Sequence, residues 1–202
     1  LRQDNKASEA ITILEKATEL APKDANAWTN LGVALQQEDK LADAKIVYEK
    51  ALALNPKSAA ISSNLGAIAK GAKDWKAALQ YFEKALEIQP DLDEAHNNLG
   101  VTLHELGRLE EAEVSFRQAI ALKPDFAEAH SNLGNTFREL GKLEVAQVSF
   151  RQAIALKPDF AEAHSNLGTL LLQIGRHGEG IDEQIIGSGI IKLDLKYGLS
   201  IL

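Results

Sequence analysis

Three histidines recur at one spacing in this 202-residue chain: His96, His130 and His164, each 34 residues from the next. Imidazoles in register suggest a metal centre first. Repeat geometry argues against it, because stacked helices lie about 8–10 Å apart while ligands sharing a zinc must each come within about 2 Å of it. The same slot in the two preceding windows holds Trp28 and Ser62. A partly buried packing position is the better account, and no metal is expected. A second row offers different chemistry. Asn30, Asn64, Asn98, Asn132 and Asn166 also fall 34 residues apart. Asparagine is a mediocre helix former, and solubility alone would favour Lys, Gln or Glu. An amide that both donates and accepts can instead grip the backbone of an extended peptide without reading its side chains.

Other chemistries find no residues to carry them. There is no G-x-S-x-G, no phosphate loop and no H-E-x-x-H, and the acidic residues are spread over solvent-facing slots. The chain is read as non-catalytic, with no cofactor. It holds 22 basic and 29 acidic residues, a net charge of −7, which disfavours nucleic acid or an anionic membrane as partner. Cysteine is absent, so disulfides and thiolate sites are excluded, and a cytoplasmic location is expected. No apolar run is long enough to span a membrane.

These rows must sit on repeated elements. Numbering from Ala25, position 4 holds Trp28, Ser62, His96, His130 and His164, and positions 7 and 8 read Leu-Gly from Leu31-Gly32 to Leu167-Gly168. Position 20 is Ala44, Ala78, Ala112 and Ala146; position 24 is Tyr48, Phe82, Phe116 and Phe150; position 32 is Pro56, Pro90, Pro124 and Pro158. Positions 4, 7, 8 and 11 form one helical stripe, and positions 20, 24, 27 and 28 a second. Each unit is therefore two amphipathic helices. The glycine suggests close helix approach, with Ala at position 20 facing it and the aromatic filling space between units. Pro ends the second helix. Asp91, Asp125 and Asp159, each followed three residues later by Glu, read as capping boxes.

This pattern resembles the tetratricopeptide repeat, over roughly residues 1–176. The resemblance implies an all-α, right-handed solenoid. Residues 1–24 are read as the second helix of a truncated repeat, with whole repeats at 25–58, 59–92, 93–126 and 127–160. A degenerate repeat at 161–186 and a β-hairpin-like tail at 187–202 complete the chain. Residue 1 falls at position 11 of a repeat, so the chain is read as a piece of a longer array. Ile11 and Leu14 are then expected to be poorly covered, and the open N-terminal end to favour self-association. In the tail, Ile191, Leu193 and Leu195 are expected to dock on the last helices.

In the family, positions 2, 5, 6, 9, 12 and 13 of the first helix line a concave groove that receives partner peptides. The asparagines at position 6 resemble the ladder in the repeat region of O-linked N-acetylglucosamine transferases. Glu94, Glu128 and Glu162 occupy position 2, Asn97 and Ser131 position 5, Asn135 position 9 and Arg138 position 12. Clamps for acidic chaperone tails carry Lys at position 5, which is missing here, and three Glu at position 2 would repel such a tail. The reading is a protein-interaction scaffold for extended segments, neutral or basic ones preferred. The alternative is the substrate-presenting arm of a larger enzyme, such as a glycosyltransferase, methyltransferase or oxygenase.

Overall fold

Proline and left-handed turns cut the chain into short helices. The computed structural model describes residues 2–189, 191–194 and 198–201, with side chains from residue 9 to residue 189. Among the described residues there are eleven helices. The chain divides into two units, Leu1–Asp91 and Leu92–Leu202. The first contains α1 (Arg2–Leu20), α2 (Ala25–Gln37), α3 (Leu41–Leu54), α4 (Ala59–Gly71) and α5 (Trp75–Ile88). The second contains α6 (Asp93–Glu105), α7 (Leu109–Leu122), α8 (Ala127–Glu139), α9 (Leu143–Leu156), α10 (Ala161–Gln173) and α11 (His177–Gly187).

Within each pair a single left-handed residue makes the turn. Gly107, Gly141 and Gly175 sit at φ 73°, 73° and 83°. The next N–H reaches back to close the turn, from Arg108 to the Leu103 carbonyl at 2.9 Å and from Lys142 to that of Phe137 at 2.8 Å. This is the Schellman closure that glycine permits. The first unit makes the same turn with Asp39 and Lys73, both at φ 57°, where a side chain carries a steric cost.

Between pairs the loops fall at the prolines, but the caps are not where Asp-x-x-Glu suggested. The residues capping α6, α8 and α10 are Leu92, Phe126 and Phe160, and none makes a side-chain cap hydrogen bond. Each helix starts one residue later than a cap at Asp91, Asp125 or Asp159 would require. In the first unit that later slot holds Asp24 and Ser58, which do accept from the backbone N–H groups of Asn26 and Ile61. In the second unit both cap aromatics instead lie under lysines, Lys123 over Phe126 at 4.8 Å and Lys157 over Phe160 at 5.0 Å.

The repeated glycine faces the aromatic of its own pair rather than the alanine at position 20. A Cβ on Gly100 would stand 2.6 Å from Cε1 of Phe116, and one on Gly32 would meet the Tyr48 ring as closely. The aromatic thus packs directly against the backbone of its partner helix, and Tyr48, Phe82, Phe116 and Phe150 are fully buried. The last pair differs. Its Gly168 meets the Gly180 carbonyl, at 2.7 Å from an added Cβ, and the Gln184 chain instead of a ring. What reads as a lapsed repeat in sequence is a closer helix packing, permitted by glycines on both sides.

Two expectations about the ends change. Arg2–Leu20 is one helix of 19 residues; no Gly or Pro interrupts it. Ile11 is buried with Leu31 and Leu35 in the first unit's core and Leu14 packs partly buried against it, while Ile13 and Leu20 of α1 are exposed. At the other end α11 runs through Gly187, so the tail begins later than expected. Strands β1 (Ile191–Asp194) and β2 (Gly198–Ile201) pair antiparallel, Ile191 opposite Ile201. Residues 195–197 lie outside the described residues, as do the side chains of Ile191 and Leu193, so the expected docking of the tail is not described. No described helix is long and apolar enough to cross a membrane.

Candidate peptide-binding face

In the second unit the first helices of successive pairs, α6, α8 and α10, touch one another. Their outward stripe carries the sequence-predicted residues. Glu94, Glu128 and Glu162 are exposed, and Asn98, Asn132, Asn166, Asn135 and Arg138 are half-buried. Asn97 and Ser131 depart from expectation: both are buried, Ser131 at 1% exposure. Position 5 lies at the edge of the stripe, where the adjoining helix covers it. In the first unit Asn30 is exposed on α2 and Asn64 half-buried on α4.

The amides are not equally available. Asn132 donates from Nδ2 to Asn97 Oδ1 at 3.1 Å, so this rung also ties α8 to α6. Asn64 hydrogen-bonds the Tyr48 hydroxyl, which itself donates to Gln36 Oε1 at 3.1 Å. Burial pushes the Tyr48 phenol up to about 12, with the Asn64 bond working weakly in the other direction. By contrast, Asn166 Nδ2, Asn135 Oδ1 and Ser131 Oγ are sealed from solvent and have no hydrogen-bond partner. Such groups cost about 1–3 kcal/mol each when left unsatisfied.

A cavity of about 260 Å³ opens on this face, lined by Val101, His104, Glu105, Phe116, Asn132, Asn135 and Glu162. Of these, Asn132, Asn135 and Glu162 were singled out from sequence. His104 and Glu105 were missed, although they occupy positions 12 and 13 of the predicted stripe and the helical period alone could have found them. His104 Nε2 lies 3.3 Å from Glu139 Oε1 but makes no hydrogen bond of acceptable geometry. Glu128 is engaged by Lys157 at 3.4 Å.

The position-4 side chains do something else. His130 Nε2 lies 3.1 Å from the Pro124 carbonyl, and His164 Nε2 lies 2.9 Å from that of Pro158. A carbonyl only accepts, so each Nε2–H donates. Trp28 makes the same bond from Nε1 to the Pro22 carbonyl at 2.9 Å. These three rings fasten α2, α8 and α10 each to the loop before it.

Residues 23–91 and 57–125 match the tetratricopeptide repeat, and residues 134–175 match the TPR repeat. No curated protein matches the chain at a significant level. Solved structures share the fold. YrrB, described as a TPR protein with an unusual peptide-binding site, is 24% identical with a TM-score of 0.73, over 87% of this chain and 92% of that one. PilF of Pseudomonas aeruginosa is 23% identical with a TM-score of 0.73, over 82% of this chain and 75% of that one. MamA of Desulfovibrio magneticus RS-1 is 18% identical with a TM-score of 0.75, over 82% and 93%. At these identities the likeness concerns the fold. The 34-residue phase, the paired helices and the matches across both units make this chain a member of the tetratricopeptide repeat family.

Proposed function

We propose that the chain is a non-catalytic interaction scaffold whose first-helix face in the second unit, on α6, α8 and α10, holds an extended peptide segment, each of these helices contributing one asparagine rung. The observation that carries this reading is the row of half-buried amides, Asn98, Asn132 and Asn166, on the outward stripe of three successive first helices. Backbone groups of a bound segment would pair with such amides, which both donate and accept. The row resembles the asparagine ladder of the O-linked N-acetylglucosamine transferases, and Asn30 and Asn64 occupy the same slot in the first unit. Exposed Glu94 and Glu162 favour neutral or basic segments over acidic ones. YrrB is described as having a peptide-binding site of its own, and the same use of the fold is proposed for this chain.

The test is selection of binders from a displayed random peptide library on the full chain, followed by affinity measurement with Asn166→Ala. One hydrogen bond contributes about 0.5–1.5 kcal/mol net, so affinity should fall roughly three- to tenfold. Melting should be unchanged or slightly raised, because alanine is the better helix former. Equal affinity for the variant and the parent would remove this rung from the binding surface.

A further inference from the structure

The asparagine row explains how a backbone could be held but gives no reason to prefer one sequence over another. The cavity on the second unit's face supplies one. At about 260 Å³ it is smaller than the usual small-molecule site of about 300–1,000 Å³, and it suits a single side chain. Its apolar lining is Phe116 and Val101. Its lining also brings acceptors from three helices, Glu105 from α6, Asn135 from α8 and Glu162 from α10, beside the imidazole of His104.

We propose that this cavity is an arginine pocket, taking the guanidinium side chain of one residue in the bound segment. The proposal rests on the groove reading above and adds a sequence preference to it. Among the described residues neither Glu105 nor Glu162 makes a salt bridge, whereas Glu111, Glu113, Glu128 and Glu179 are each engaged by Arg or Lys. Two carboxylates thus face the same cavity without a cation. Asn135 lines the same cavity between them. An apolar side chain would leave both carboxylates without a counter-charge, and an acidic one would meet two like charges. Arginine offers five N–H donors in a planar fork, able to reach acceptors on separate walls while its methylene stem lies on Phe116 and Val101. Lysine brings a compact, strongly hydrated charge that fits dispersed acceptors less well.

The experiment titrates the full chain with a blocked five-residue alanine peptide carrying arginine, citrulline, lysine or alanine at its centre, read by NMR. Citrulline keeps the shape and removes the charge. Arginine should bind about tenfold more tightly than citrulline or alanine, as expected for charge-assisted hydrogen bonds, with shifts at Val101 and at the Asn135 side-chain amide. The double variant Glu105→Gln with Glu162→Gln should bring arginine to within about twofold of citrulline and leave melting unchanged, since both side chains are exposed. If arginine and citrulline bind equally while α8 and α10 still shift, the groove reading stands and the arginine pocket falls. Lysine binding as tightly as arginine overturns the guanidinium assignment. An arginine preference that survives the double variant overturns the location. No shift on α8 or α10 with any peptide overturns both readings.

Discussion

Asn64 in the first unit and Asn132 in the second occupy the same slot of the repeat, yet they have different partners. Asn64 is held by Tyr48, whose hydroxyl also bonds Gln36. The ring equivalent to Tyr48 in the second unit is Phe116, which has no hydroxyl to offer. Asn132 turns to Asn97 instead, and a cavity lies where Phe116 and Asn132 meet. The Tyr48 hydroxyl is one difference between the two surroundings, and Thr29 against Asn97, Gln36 against His104 and Ala67 against Asn135 are others. The lesson is that a repeated residue type does not define a repeated site. The neighbour that competes for its hydrogen bonds does.

The comparison breaks first if the two rings do not bear equal weight. Each lies on a glycine with no slack, so Phe116→Ala and Tyr48→Ala should each cost about 3–5 kcal/mol in urea unfolding, the tyrosine slightly more for its hydroxyl. A loss below about 1 kcal/mol at either site would mean that the glycine contact is not what holds the pair. Exchanging the rings sharpens the comparison. Tyr48→Phe should cost about 1 kcal/mol by stranding Asn64 and Gln36. It should also change the alkaline limb. The buried phenol has its folded pKa raised to about 12 against about 10 unfolded. Its protonated form therefore stabilises the fold below pH 10, and that contribution is lost as pH rises from about 10 towards 12. The variant should flatten this limb in part, because Tyr81 is also raised, by burial and by Glu49 and Asp74. The reverse exchange, Phe116→Tyr, should alter stability by less than about 1 kcal/mol while its hydroxyl enters the cavity and abolishes any arginine preference. Retention of that preference would show that the missing oxygen does not make the pocket. The smallest effect concerns a second difference between the units. Lys73→Gly should stabilise by up to about 1 kcal/mol by relieving a left-handed side chain, and Gly107→Ala should destabilise by a similar amount. An unchanged urea midpoint for both would show that these turns are not strained.

The helices and their pairing were legible because proline, Leu-Gly and the aromatic each answer to a single physical constraint. The caps were not: Asp91 and Glu94 have the spacing of a capping box, but the loop is one residue longer than that motif allows and Leu92 takes the cap. The binding face was legible as a face, since 100° per residue fixes which side a residue is on. It does not fix depth, which is why Asn97 and Ser131 read as surface and proved buried. Nor does it say whether two amides on adjacent helices meet. Those outcomes depend on how closely α6 and α8 approach, and sequence spacing along one helix carries no information about that distance.

The bond from a position-4 ring to the preceding proline carbonyl has a consequence for how such a chain is inherited. The stretch Val114–Gly134 is identical to Val148–Gly168, and each copy contains both halves of the fastening, Pro124 with His130 and Pro158 with His164. It also contains both members of the lysine–phenylalanine contact beside it, Lys123 with Phe126 and Lys157 with Phe160. A gene segment copied in steps of 34 codons therefore transmits a complete joint, with no matching change required elsewhere. A breakpoint falling between the proline and the ring would instead have to find a compatible partner on the other side. Because tryptophan at position 28 makes the same bond, the joint accepts more than one ring. Lengthening by whole repeats is the cheap mutation in this molecule, and the near-perfect second copy is what a recent use of that route would leave behind.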